Sequence, residues 1–288
     1  MACGYLVVST IEQEAPLKST IKWWVRHNIT RKMVGKHMNI KVTYLAHSGF
    51  LVELDTCYML FDYYKGNLNN ISKDKKLIVF VSHSHYDHFN KDIFHLDEEY
   101  PDIQYYISSD VKLSEKDIME YGITGELSRK IEVVKAGQEY NLKIISENEI
   151  IIRTLKSTDK GVAYLVTYNG KTIYHAGDLH LWVWQEEDRQ YNNNMTARFN
   201  KEMAVVKNYS IDVAFVPLDP RQEDWYHLGM DALLDITSIK HIFPMHFWDK
   251  PEIIQKYKEY RNKQYKGKST DVNIVDVERT GQTWTIDI

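Results

Sequence analysis

The chain is poor in the residues that mark several protein classes. Only two cysteines occur in 288 residues, Cys3 and Cys57, and neither has Cys partners at zinc spacing. A disulfide framework and a cysteine-based zinc site are therefore excluded, and the usage fits a reducing, cytoplasmic setting. No apolar run approaches the roughly 18 residues that cross a bilayer, so no membrane span is expected. Near the start only Tyr5-Leu6-Val7-Val8 is apolar, too short for a signal-peptide core. There is no fixed-period repeat, low-complexity tract or long linker.

Positive charge is also scarce where a nucleic-acid binder needs it. Residues 1–37 carry +4, from Lys18, Lys22, Arg26, Arg31, Lys32 and Lys36 against Glu12 and Glu14, which leaves −8 for the rest of a chain of total −4. A core of that charge lacks the basic footprint for phosphate backbones, so no nucleic-acid partner is expected. What remains is the composition of an ordinary globular domain, 43% hydrophobic and long enough to bury a full core.

The most informative stretch is His83-Ser84-His85-Tyr86-Asp87-His88, four potential metal ligands within six residues. It follows Leu77-Ile78-Val79-Phe80-Val81, an unbroken apolar run of the length of a strand buried on both faces. Such a strand is a rigid support for imidazole and carboxylate donors, which suit borderline ions such as zinc. Tyr58–Asp62 reads as a second strand ending in an acid, and Val213–Val216 as a buried strand leading into Pro217-Leu218-Asp219-Pro220-Arg221. Lys171–Asp178 reads as a strand followed by Gly-Asp, and Ile242–Trp248 as a strand carrying His246 near its end. Asn90 is placed to cap a helix carrying Ile93, Phe94 and Leu96, and Ser114 with Asp117 to start another that ends near Tyr121-Gly122. A surface helix is expected over Glu252–Asn262 and a closing strand at Trp284–Ile286.

The H-x-H-x-D-H pattern, with the three later segments in this order, resembles the metallo-β-lactamase superfamily over about residues 39–288. The resemblance implies an α/β fold, an αββα sandwich forming one domain over residues 38–288, with one or two metals at its mouth. It implies His83 and His85 on one ion, Asp87, His88 and His246 on a second, and Asp178 bridging them. Asp62 is expected to orient a ligand His. Most members carry a third His where this chain reads Lys156-Ser157-Thr158-Asp159-Lys160-Gly161. That departure is similar to a subgroup including L-ascorbate-6-phosphate lactonase-like proteins, in which a polar or acidic residue replaces the His. Asp159 is then a ligand. In the other reading it is a turn residue, which Asp-Lys-Gly suits equally.

The resemblance implies a metal-dependent hydrolase acting through metal-bound hydroxide on a small-molecule ester, lactone, phosphoester or amide. Two ions about 3.5–4 Å apart bring bound water toward neutral pKa and polarise the attacked group. Zinc is the first choice and manganese the second, because an oxygen-rich first site favours harder ions. Asp87 and His227 are the candidate proton carriers, with His180 a lesser one. Arg221 and Trp182 are candidate substrate contacts, the arginine for an anionic group; Trp184 and Trp225 are further pocket candidates. His47 reads as a structural, hydrogen-bonded histidine. The alternatives are a metal-dependent nuclease or phosphodiesterase, and a non-enzymatic metal-binding regulatory protein. Composition gives no oligomeric state.

Residues 1–37 read as a basic N-terminal extension, with an amphipathic helix over Leu17–Met33 as one account. A translation start at Met38 is another, and a membrane-surface anchor a third. Strand-like alternation begins only at Ile40, Val42 and Tyr44. A chain beginning at Met38 is therefore expected to be soluble, folded and fully metal-loaded. Metal analysis and circular dichroism check this, and a large loss of folded protein would mean that the extension packs into the core.

Overall fold

The computed structural model describes residues 37–68, 71–123, 125–144, 149–265 and 271–288. The helix expected over Leu17–Met33 lies outside these residues. The first six strands are β1 (Asn39–Ala46), β2 (Gly49–Glu53), β3 (Cys57–Phe61), β4 (Lys76–Val81), β5 (Ile103–Ser108) and β6 (Ile131–Val134). They pair in chain order. The next seven, β7 (Glu139–Lys143), β8 (Glu149–Lys156), β9 (Val162–Tyr168), β10 (Lys171–His175), β11 (Ile211–Pro217), β12 (Ile239–Met245) and β13 (Asn273–Ile274), build a second sheet, also in chain order. The final strand, β14 (Thr283–Asp287), returns to pair with β1. Each sheet has an antiparallel half and a parallel half, β3 to β6 in one and β10 to β13 in the other.

The continuous apolar run of β4 is explained by what lies on its two faces. Ile78 and Phe80 enter the core between the sheets, whereas Leu77, Val79 and Val81 face an outer cluster with Ile93, Phe94 and Tyr105. Between the sheets, Phe50 of β2 packs on Phe215 of β11 with ring centroids 4.3 Å apart, and Phe61 stacks on Phe80 at 4.7 Å. Burying each such ring stabilises the fold by about 1.5–3 kcal/mol. Tyr164 of β9 is fully buried, and its hydroxyl reaches the carbonyls of Val81 at 2.8 Å and Tyr106 at 2.9 Å. A second-sheet side chain thus ties down the end of β4.

Helices complete an αββα arrangement. The longest, α1 (Arg189–Val206), is capped by Asp188, which accepts from the Tyr191 amide, and buries Met195, Phe199, Met203 and Val206. α2 (Leu228–Leu234) and α3 (Glu252–Gln264) follow. The expected caps are present: the Asn90 side chain accepts from the Asp92 amide, and Ser114 and Asp117 form a reciprocal capping box. Cys57 is the buried first residue of β3, and after Pro217-Leu218 the chain forms a short 3-10 helix, Pro220–Trp225, capped by Asp219. Among the described residues no helix is long and apolar enough to cross a membrane.

Gly161 shows how closely the sheets approach beneath the histidine loop. Its φ is +68°, and a Cβ there would lie 2.0 Å from the Ser82 carbonyl oxygen and 2.6 Å from His83 Cβ. Gly137 has a similar φ of +74° with nothing within 4 Å. Gly161→Ala is therefore expected to destabilise by about 2–5 kcal/mol, combining left-handed strain and overpacking, and Gly137→Ala by only about 1–2 kcal/mol. Urea unfolding of the two variants measures the difference.

Candidate metal centre

The carboxyl ends of the parallel strands in both sheets supply most of the donors. β3 runs into Asp62, and β4 into Ser82 and the loop carrying His83, His85, Asp87 and His88. From the second sheet, β10 leads through Ala176-Gly177 to Asp178, β11 to Asp219, and β12 directly to His246. His47 comes from the turn between β1 and β2. The backbone is strained here: His47, Asp62, His246 and Trp248 have φ of 51°, 42°, 62° and 56°. Such conformations cost non-glycine residues about 1–3 kcal/mol each, and they persist where the surroundings impose them.

The donors fall into groups. His83, His85 and Asp178 form one, and His47, Asp87, His88 and His246 another, with ligand atoms inside each group within 4.8 Å of one another. His83 Nε2 lies 3.0 Å from His85 Nδ1 and 3.2 Å from Asp178 Oδ2. The other oxygen of Asp178 lies 3.3 Å from His88 Nε2 and 3.5 Å from His246 Nε2. His47 Nε2 is 3.3 Å from Asp87 Oδ2. Donors held at 2.0–2.2 Å from one tetrahedral ion stand roughly 3.3 Å apart, so these separations suit shared ions.

Hydrogen bonds behind the donors fix which nitrogen faces inward. Ser82 Oγ donates to Asp62 Oδ2 at 2.6 Å and so accepts from His83 Nδ1 at 2.9 Å. His88 Nδ1 donates to Asp62 Oδ2 at 2.7 Å, and His246 Nδ1 to Asp219 Oδ2 at 2.8 Å. With the proton on Nδ1, each ring presents an Nε2 lone pair to Asp178. His47 Nε2, His88 Nε2 and Asp178 Oδ1 are buried without a hydrogen-bond partner. An unsatisfied buried polar atom costs about 1–3 kcal/mol, and three of them on neighbouring donors fit a bound cation.

Burial, then the His246 and His88 rings, push the His47 imidazole down to about 2, which keeps it a neutral donor. Burial alone would raise the Asp178 carboxyl; the neighbouring His88, His83 and His246 rings hold it well below the usual carboxylate range. The cluster forms part of the wall of a cavity of about 620 Å³, shared with Trp182, Trp184, Tyr191, Arg198 and Arg221.

A family model described as beta-lactamase superfamily domain matches residues 41–193, more than half of the chain. The chain belongs to the beta-lactamase superfamily. A relative from Opitutus terrae, named as a metal-dependent hydrolase, is 26% identical over 227 residues, covering 74% of this chain and 87% of the relative. Among solved structures, the metallo hydrolase Igni18 of Ignicoccus hospitalis superposes with a TM-score of 0.57 at 20% identity, covering 87% of this chain and 99% of that one. CmlA of Streptomyces venezuelae, a diiron beta-hydroxylase, gives 0.55 at 10% identity over 88% of this chain and 55% of its own. These structures share the fold.

In this beta-lactamase superfamily chain, His83, His85, Asp87, His88, Asp178 and His246 come together. Asp159 stands at the cavity edge, half-exposed, its Oδ2 3.7 Å from His85 Nδ1 and outside both donor groups. Trp182 lines the cavity, with its Nε1 donating to the Asp178 carbonyl at 3.0 Å. Arg221 also lines it, but its Nε and Nη2 donate to Asp219 at 3.0 and 2.5 Å. His227 is not brought there, which corrects its expected role: Nδ1 is 2.8 Å from Asp231 Oδ2 and the ring packs on Tyr260 at 4.1 Å. Trp225 likewise packs at the margin of the main core. Nor does His180 face the cavity. Its Nε2 is 2.9 Å from Gln222 Oε1, burial pushes it down to about 4, and its ring lies under Gly229.

His47, read from the sequence as a structural histidine, stands among the donors, and Asp219, given no role there, holds His246. The signals were a His-Ser-Gly turn closing β1 and an acid at the end of β11. Asp178→Ala is expected to weaken metal uptake at both groups, while His246→Ala and His47→Ala each lower it at one. Metal stoichiometry by elemental analysis separates these outcomes.

Proposed function

We propose that the protein is a metal-dependent hydrolase of a small-molecule ester, lactone, phosphoester or amide. The observation that carries this reading is Asp178, whose two oxygens face separate donor groups at the wall of an open cavity. His83, His85 and Asp178 would hold one ion, and His47, Asp87, His88 and His246, with Asp178, a second. Zinc is the first choice and manganese the second. When bound, these ions supply Lewis acidity and make water nucleophilic near neutral pH.

The chain's own residues have the remaining tasks. Asp87 borders the cavity with its Oδ2 3.3 Å from His47 Nε2, and it is the carboxylate placed to take a proton from attacking water and return it to the leaving group. Trp182 and Arg221 are the substrate contacts proposed from the sequence, the arginine offering only what Asp219 leaves free. In the finer reading, of an L-ascorbate-6-phosphate lactonase-like member, Asp159, 3.7 Å from His85 Nδ1, would stand in for the third His.

Activity on lactones or phosphodiesters is expected to vanish on chelation and to return with zinc or manganese. Activity that survives complete metal removal, checked by elemental analysis, would refute the mechanism.

A further inference from the structure

Two guanidinium groups line the cavity, and they differ in what they have left to offer. Arg221 is committed: Nε and Nη2 are spent on Asp219, and its face rests 4.8 Å from the Trp248 ring. Its work is to hold Asp219 against His246. Arg198 donates through Nη2 to the Thr158 carbonyl, a neutral acceptor, and no described carboxylate pairs with it. Its Nε and Nη1 have no hydrogen-bond partner among the described residues.

The placement of Arg198 is not that of a stray surface residue. Tyr191, Met195 and Arg198 follow one another at helical spacings of four and three along α1, and all three line the cavity. One face of the longest helix is therefore a wall of the site. Trp182 and Trp184, stacked with ring planes 9° apart, add a flat apolar surface. Asp87 and Asp178 line the cavity among the imidazole donors, and Asp159 adjoins Thr158, whose carbonyl Arg198 holds. A substrate with a separate negative group can lie between Arg198 on α1 and the donors, its charge toward the guanidinium and its neutral reacting bond toward the donors.

We propose that Arg198 binds an anionic group of the substrate, a carboxylate or a phosphate, away from the bond that is cleaved, while the Trp182–Trp184 surface holds a flat apolar part. This rests on the hydrolytic reading of the same cavity. The full-length, metal-loaded protein is titrated with phenylphosphonate, benzoate and neutral benzyl alcohol, followed by calorimetry and tryptophan fluorescence. Arg198→Gln is expected to weaken the preferred anion by roughly 10- to 100-fold, the size of a charge-assisted contact. Benzyl alcohol binding and metal content stay unchanged, and Arg198→Lys restores part of the loss. Comparison of the two anions tells phosphate from carboxylate.

Equal weakening of charged and neutral probes would instead make Arg198 a support for the Thr158 loop, and unchanged anion binding would place the charge elsewhere. Either result overturns the proposal, as does a wild-type protein with no preference for the anions. Failure of the hydrolytic reading is seen separately, as activity that persists after chelation.

Discussion

A single buried carboxylate, Asp62, sets the geometry of the metal centre. It is 1% exposed and accepts from the Ser82 amide at 2.7 Å, the Ser82 hydroxyl at 2.6 Å and His88 Nδ1 at 2.7 Å. A buried charge is tolerated only when its lone pairs are satisfied, so these donors are held as firmly as the acid itself. Through Ser82 the same carboxylate orients His83, and directly it orients His88, one ring from each donor group. On the second sheet Asp219 does the same for His246. The donors are thus held in place although they come from loops, because Asp62, Ser82 and His246 directly follow buried strand ends.

Much of this was legible in the sequence where one residue's neighbours along the chain are also its neighbours in space. The β4 run, the histidine loop after it, Asp178 after β10 and His246 after β12 all lie where the pattern put them. Residues whose role exists only between strands were harder to see. Asp219 matters because β11 lies beside β12, and His47 because its turn reaches the same sheet edge. His227 failed for the opposite reason. It follows Arg221 closely in sequence, but the 3-10 helix Pro220–Trp225 and α2 carry it away to Asp231. Helix α1 was not anticipated because Asn192-Asn193-Asn194, weak helix formers, interrupt its first turns, and only four buried side chains fasten it.

The two sheets repeat one scheme. In each, the parallel strands end at the same sheet edge, and those edges together bring the acids and imidazoles to Asp178. Nothing in that scheme dictates a reaction. The same fold appears in a metallo hydrolase and in a diiron beta-hydroxylase, so chemistry has to be argued from the donors and the walls around them. Here Asp87, Asp178 and Arg221 stand beside the imidazole donors, and α1 brings Arg198 to the same cavity.

The centre also concentrates features that oppose folding. Four non-glycine residues with positive φ surround it, three buried polar atoms lack partners, and ring nitrogens of His83 and His85 face each other at 3.0 Å. Two lone pairs at that distance repel unless a proton or a cation lies between them. Away from the centre Asn169 and Glu223 also have positive φ and Arg261 Nε lacks a partner, but strained and unpaired groups are densest around the donors. Local rules broken together at one place are the mark of a site shaped for a ligand and not for stability. A cation that binds only the native arrangement returns free energy to it by mass action. The strain at His47, Asp62 and His246 and the burial of unpaired donors are then one arrangement, stable when its positive charge is supplied.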